Sequence, residues 1–320
     1  MLVCFNLKYM IMEKIRWTTV HMPDLTGKII VVTGGNSGVG YESVKAFAMK
    51  GAEVVLASRS TEKGDEARTE ILKAIPDGKI KVMQLDLGDL ESVRSFATAF
   101  KEKSKKLDVL MNNAGIMMTP YFQTKDGFEG QFGINHLGHF ALTGLLMDLL
   151  LKTEGARIVN VSSGAHKRGA MDFSNLQFEN GKDYSPMKAY GRSKLSNLLF
   201  TYELQRKLEA AKKDTIAAAA HPGFAMTNLT RHMEGRFLFK ILAPLFKRMA
   251  QDQAMGALPQ IRASVDPEVK GSDYYGPEGK NEYKGYPVIV KSNEASHNLK
   301  DAAQLWEESE KLTGVKLDIH

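Results

Sequence analysis

The pair best equipped for chemistry in this chain is Tyr190 and Lys194, four places apart in the run Ala-Tyr-Gly-Arg-Ser-Lys. On a helix that spacing sets the phenol and the ammonium one turn apart on one face. A free phenol titrates near pH ~10, outside the neutral range, and a cation within a few ångströms favours the phenolate and lowers that value. Tyr190 could then exchange a proton with an alcohol or carbonyl oxygen. Many helices hold such a pair by chance, so the reading depends on what the other elements bring to the same place.

A β-branched run over 27–32 reads as a strand buried on both faces, and it leads directly into Thr33-Gly34-Gly35-Asn36-Ser37-Gly38-Val39-Gly40. A helix is expected over 41–50. Strand, glycine turn and helix are the setting a dinucleotide pyrophosphate needs, because glycines admit the backbone close to phosphate and the helix N-terminus offers N–H groups and positive potential. Gly34, Asn36, Ser37, Gly38, Val39 and Gly40 are the candidates for that contact. A second strand over 53–57 ends at Ser58-Arg59. An acid there would accept from a ribose 2′-hydroxyl and repel a 2′-phosphate, whereas a hydroxyl beside a guanidinium favours NADP(H) over NAD(H). The plain alternative for Arg59 is a surface arginine.

Further strands are expected over 79–85 and 107–111, separated by a helix over 90–104. The first ends in Asp86-Leu87, where Asp86 either accepts from an adenine amine or serves as a turn or cap carboxylate in competition with Asp89. The second ends in Asn112-Asn113-Ala114-Gly115, whose small residues let a flat ring pass close to the backbone. Asn135 lies in the apolar helical run that follows; it either satisfies neighbouring backbone or faces a catalytic lysine and holds a relay water. His136 and His139 are spaced as metal ligands can be, yet no third ligand of suitable spacing accompanies them, and no metal is expected. A strand over 157–161 ends in Ser162-Ser163 without a Gly-x-Ser-x-Gly elbow, so Ser163 reads as a donor to a substrate oxygen, not as a nucleophile. A helix over 187–210 carries Tyr190 and Lys194, and a strand over 215–220 runs into His221-Pro222-Gly223-Phe224-Ala225-Met226-Thr227.

The alternation of strand and helix predicts an α/β fold, a Rossmann-type doubly wound parallel sheet in a single domain. Residues 1–24 are expected to be a tail, 25–265 the main domain with a helical substrate lid over about 224–260, and 266–320 a C-terminal extension packed on it. The apolar first dozen residues are too short to span a bilayer and have the wrong charge order for a secretory signal; they read as a frayed tail or as sequence upstream of a start at Met12. Residues 236–248 are basic and apolar, fitting either that lid or a peripheral membrane contact. Lysine and arginine total 43 against 37 acids, a net +6 that is scattered and mixed in sign, with no basic-aromatic stripe, so no nucleic acid is expected. Cys4 is the single cysteine, which excludes an intrachain disulfide and fits a reducing, cytoplasmic setting.

The glycine turn at 33–40, the Asn112–Gly115 turn, Asn135, Ser163, Tyr190 and Lys194 together resemble the short-chain dehydrogenase/reductase family over about residues 25–265. Asn135-His-Leu-Gly-His-Phe, Val159-Asn-Val-Ser-Ser and His221-Pro-Gly are similar to its retinol dehydrogenase, protochlorophyllide reductase and WW-domain oxidoreductase branch. The resemblance implies that Tyr190 is the general acid/base and that Lys194 lowers its pKa and binds the nicotinamide ribose. It implies that Ser163 orients the substrate oxygen, that Asn135 orders a relay water, and that Thr227 lies near the carboxamide. It further implies NADP(H), a small carbonyl or alcohol substrate, and a homodimer or homotetramer through the Asn135 and Tyr190 helices. The chain departs from the branch after Thr227, so retinoid specificity does not carry over. The contrasting reading is an NADP(H)-binding sensor or scaffold without turnover, against which the complete Ser163, Tyr190 and Lys194 set argues.

Overall fold

In the computed structural model, which describes residues 16–224 and 251–319, the first β-branched run forms β1 (Ile29–Thr33). Ile30 and Val32 enter one core, with Phe47, Ile71 and Ile261, while Val31 points to the opposite one, with Phe96, Phe140 and Phe200. Covered on both faces, the strand has no polar side to show, and this is why its sequence is a continuous apolar run. The remaining strands are β2 (Glu53–Ser58), β3 (Lys79–Gln84), β4 (Val109–Asn112), β5 (Arg157–Val161), β6 (Ile216–Ala220), β7 (Tyr274–Pro277) and β8 (Pro287–Ile289). They form one sheet in the order β3-β2-β1-β4-β5-β6-β7-β8, parallel throughout except for the antiparallel edge strand β8. The order reverses direction between β1 and β4, and a doubly wound sheet opens its ligand crevice beyond the carboxyl ends of the strands at that point.

Helices α1 (Gly38–Met49), α2 (Thr61–Ala74) and α3 (Leu90–Lys103) follow the first three strands. Helix α4 (Gly130–Lys152) is long and apolar enough to cross a membrane, but most of it is buried inside the fold. It is also not uniform, since Gly133–Leu137 widens into a π turn around Asn135. Helix α5 (Pro186–Ala210) carries the Tyr190 and Lys194 pair. Of the expected lid, residues 225–250 lie outside the described residues, and with them Thr227 and the basic segment 236–248. From Gln253 the chain forms α6 (Gln253–Val265), which packs Leu258 and Ile261 against the α1 side of the sheet, so this stretch is core and not lid.

The C-terminal extension supplies β7, β8 and α7 (Leu299–Thr313). Trp306 of α7 stands edge-on to Phe140 at 5.5 Å and lies 5.8 Å from Phe200, and Ser309 Oγ is 2.9 Å from His136 Nε2. Helix α7 therefore covers α4 and α5, the two helices that the family resemblance offers for self-association.

Candidate active site

The ends of β1 and β4 meet through Thr33. Its hydroxyl accepts the N–H groups of Asn113 and Ala114, both at 2.9 Å, and lies 2.8 Å from His139 Nε2. Asn113 returns the tie, its Nδ2 donating to the Thr33 carbonyl at 2.7 Å, while Gln260 Nε2 of α6 donates to Asn113 Oδ1 at 2.9 Å. The glycine turn and the Asn112–Gly115 turn are thus fixed to each other. Thr33, His139 and Gln260 escaped the sequence reading as site residues. The available signal was polarity inside apolar elements, which alone does not say what is being held.

Asn135, fully buried, donates from Nδ2 to the Ile116 carbonyl and to Ser193 Oγ, both at 2.9 Å, and accepts the Ile116 N–H at 2.8 Å. This amide stitches the β4 loop to α5. A Cβ on Gly115 would lie 3.1 Å from Asn135 Oδ1 and 3.4 Å from Lys194 Nζ, so the glycine keeps open the space between them.

Lys194 Nζ donates to the Val161 carbonyl at 3.0 Å and lies 5.9 Å from the centre of the Tyr190 ring. Burial pushes the Lys194 ammonium down to about 8. Burial also raises the Tyr190 phenol above its ordinary value, with the Ser163 hydroxyl pulling the other way. The expected lowering by Lys194 is not seen here: desolvation penalises the phenolate, and the lysine is engaged by a carbonyl. Ser163 begins the short 3₁₀ turn Gly164–Arg168, its Oγ accepting from the Ala165 N–H at 3.2 Å.

Ser163, Tyr190 and Lys194 line one cavity of about 110 Å³ with Val39, Asn113, Gly115, Pro222 and Gly223, all read from sequence. Ile116, Met117, Val161, Ser162 and Phe224 also line it and were not foreseen. Gly34, Asn36, Ser37, Gly38, Gly40, Ala114, Ser58, Arg59, Asp86 and Leu87 do not line that cavity; they sit at the carboxyl ends of β1 to β4, in the turns that follow and, for Gly38 and Gly40, in the first turn of α1.

That edge suits a dinucleotide. The Ser37 side chain makes no capping bond at the start of α1, leaving the first turn of the helix to a ligand. A Cβ on Gly40 would lie 2.5 Å from the Gly34 carbonyl, so only glycine lets turn and helix close there. Ser58 is buried and donates to the Ser60 carbonyl at 2.9 Å, whereas Arg59 beside it is exposed. Asp89 caps α3, and Asp86 Oδ1 accepts the Gly88 N–H at 2.9 Å, so the capping duty and the turn duty are divided between them. His136 and His139 are core residues whose ring nitrogens meet Ser309, Thr33 and the Asn135 carbonyl.

Fold and site together define an oxidoreductase of the short-chain dehydrogenase class. The pattern of the short chain dehydrogenase family matches residues 28–235, and the chain belongs to that family. Among its relatives, retinol dehydrogenase 12 of Mus musculus is 39% identical over 300 residues, covering 93% of this chain and 89% of the relative. The human WW domain-containing oxidoreductase is 41% identical over 256 residues, 78% of this chain and 60% of the relative. A crystal structure of an uncharacterised protein from Mycobacterium paratuberculosis superposes with a TM-score of 0.79 at 39% identity, covering 94% of this chain and 99% of that one.

Proposed function

We propose that the chain is an NADP(H)-dependent oxidoreductase that interconverts a lipophilic carbonyl compound and its alcohol, with Tyr190 as the general acid/base. The observation that carries this reading is the single cavity in which Ser163, Tyr190 and Lys194 meet the Pro222-Gly223 turn and Val39 of the glycine-turn helix. The bound nicotinamide would supply or accept the hydride. Tyr190 gives its phenolic proton to the substrate oxygen in reduction and takes it back in oxidation. Ser163 holds that oxygen beside the phenol, and Lys194, anchored on the Val161 carbonyl, supplies positive charge that favours the phenolate as it forms. Arg59 and Ser58 would meet the 2′-phosphate. Val39, Ile116, Met117 and Phe224 make the cavity wall apolar, which suits a lipophilic substrate. The single cysteine supports a cytoplasmic setting.

The test follows NADPH oxidation by absorbance across a panel from small aldehydes to retinal and steroid ketones. Tyr190→Phe should retain NADPH binding and lose roughly 10²–10⁴-fold in turnover, the usual worth of a positioned acid/base. Equal turnover in wild type and variant would refute the role. NADPH binding without turnover on any carbonyl would favour the sensing scaffold.

A further inference from the structure

The geometry points to Glu282, in the C-terminal extension, as a positioning residue that locks the two walls of the Tyr190 cavity, the Ser163–Lys167 turn and the His221–Gly223 turn, into one register. Its Oε1 accepts from Lys167 Nζ at 3.0 Å, and its Oε2 lies 3.0 Å from His221 Nε2. His221 Nδ1 accepts the Gly223 N–H at 3.2 Å, so its own proton sits on Nε2, facing the carboxylate. One carboxylate thereby touches a residue four places from Ser163 and a residue two places from Gly223, and Ser163 and Gly223 both line the cavity.

The surroundings are cut to this arrangement. Gly223 has φ +66°, and a Cβ on it would lie 2.5 Å from the Tyr283 carbonyl and 2.7 Å from the Pro277 ring. A Cβ on Gly276 would run into the His221 imidazole. The Phe224 N–H donates to the Tyr283 carbonyl at 2.8 Å, and Gln251, where the described chain resumes, donates its N–H to the Phe224 carbonyl at 2.9 Å. On the serine side, His166 Nδ1 lies 2.6 Å from the Ser163 carbonyl, and the Asn293 N–H of the extension donates to His166 Nε2 at 3.3 Å.

Glu282 reaches its place at a cost. Asn281 and Glu282 both have φ 58°, a left-handed conformation that a turn would ordinarily assign to glycine. Side chains persist in such a region only where the surroundings over-determine them. A glycine would close the loop without strain but would bring no carboxylate. Glu282 stays ionised, held down to about 2 by the His221 hydrogen bond first and by Lys167 after it.

This inference rests on the proposed reading that Ser163 and Gly223 flank the reacting centre, and its test is separable from that reading. Amide hydrogen exchange is compared in the wild type, Glu282→Ala and Glu282→Gln. In Glu282→Ala the Gly223 and Phe224 amides and the 163–168 turn should exchange at least ~10-fold faster, with β5 and β6 unchanged. Glu282→Gln, which keeps the shape and one acceptor, should fall between. Turnover should follow the same order, since misplacing reacting groups by about 1 Å costs up to ~10²-fold. Unchanged exchange in both turns would overturn the inference. So would faster exchange spread equally over β5 and β6, the mark of general loosening. Exchange needs no turnover, so a wild type inactive on every carbonyl would count against the proposed reaction and leave this comparison to decide.

Discussion

Replacing Asn135 by leucine isolates the stitch between the β4 loop and α5, the helix that carries Tyr190 and Lys194. The shape is nearly kept, but the Ile116 N–H and C=O both lose their partner, while Ser193 still donates to the Tyr190 carbonyl. The Ile116 groups are half-buried, so each left unpaired costs toward the lower part of ~1–3 kcal/mol, and the pair amounts to about 2–4 kcal/mol. Unfolding entropy near ~2.1 cal/mol/K per residue gives ~0.7 kcal/mol/K for 320 residues, and a fall in Tm of about 3–6 °C follows. Differential scanning calorimetry at several scan rates reads this directly. Asn135→Asp keeps the acceptor for the Ile116 N–H and should melt between the two. A leucine variant that melts within about 1 °C of the wild type would refute the claim that the amide holds the β4 loop to α5.

Arg59→Ala should weaken NADPH by more than ~10-fold, the worth of a lost charge-assisted phosphate contact, and leave NADH nearly unchanged; fluorescence titration with both cofactors checks it, and equal weakening would show that Arg59 misses the phosphate. Burial holds His136 down to about 3 and both His139 and His166 to about 4, below the ordinary 6.5. The unfolded chain therefore binds more protons between about pH 4 and 6.5, and stability should fall on acidification through that window by up to ~1.4 kcal/mol per pH unit for each histidine. Urea midpoints at pH 7.5 and pH 5 that coincide would contradict this. Trp306→Ala should cost about 3–5 kcal/mol by opening a cavity against Phe140 and Phe200, and a smaller loss in chemical denaturation would mean that α7 is not a true part of the core.

The first six parallel strands were legible in the sequence because their apolar runs each end at a turn on the same sheet edge, marked by glycine, serine or asparagine except after β3, where Asp86 stands. Tyr190, Lys194 and Ser163 were legible because spacing on α5 and position at the end of β5 are local facts. The fate of 253–265 was not: an apolar helix looks the same whether it covers a substrate or another helix, and only the contact of Leu258 and Ile261 with the α1 layer decides. Nor was the role of Thr33, whose partners Asn113 and His139 are 80 and 106 residues away. The expected lowering of the Tyr190 pKa was read from the Lys194 charge alone, whereas burial, which raises it, is a property of the packed fold.

The π turn at Gly133–Leu137 sets a different kind of vulnerability. A five-residue turn is a matter of count, and in it the Gly138 N–H bonds back to the Gly133 carbonyl while the Asn135 carbonyl meets the His139 imidazole. Removing any one residue there would restore ordinary winding: the flanks would stay roughly aligned, but the residues within the turn would shift by about one position, ~100° around the axis, relative to one flank. Asn135 could then no longer face Ile116 while His139 faced Thr33. At this point of the chain a deletion that leaves every functional side chain present would dismantle the site as thoroughly as losing them.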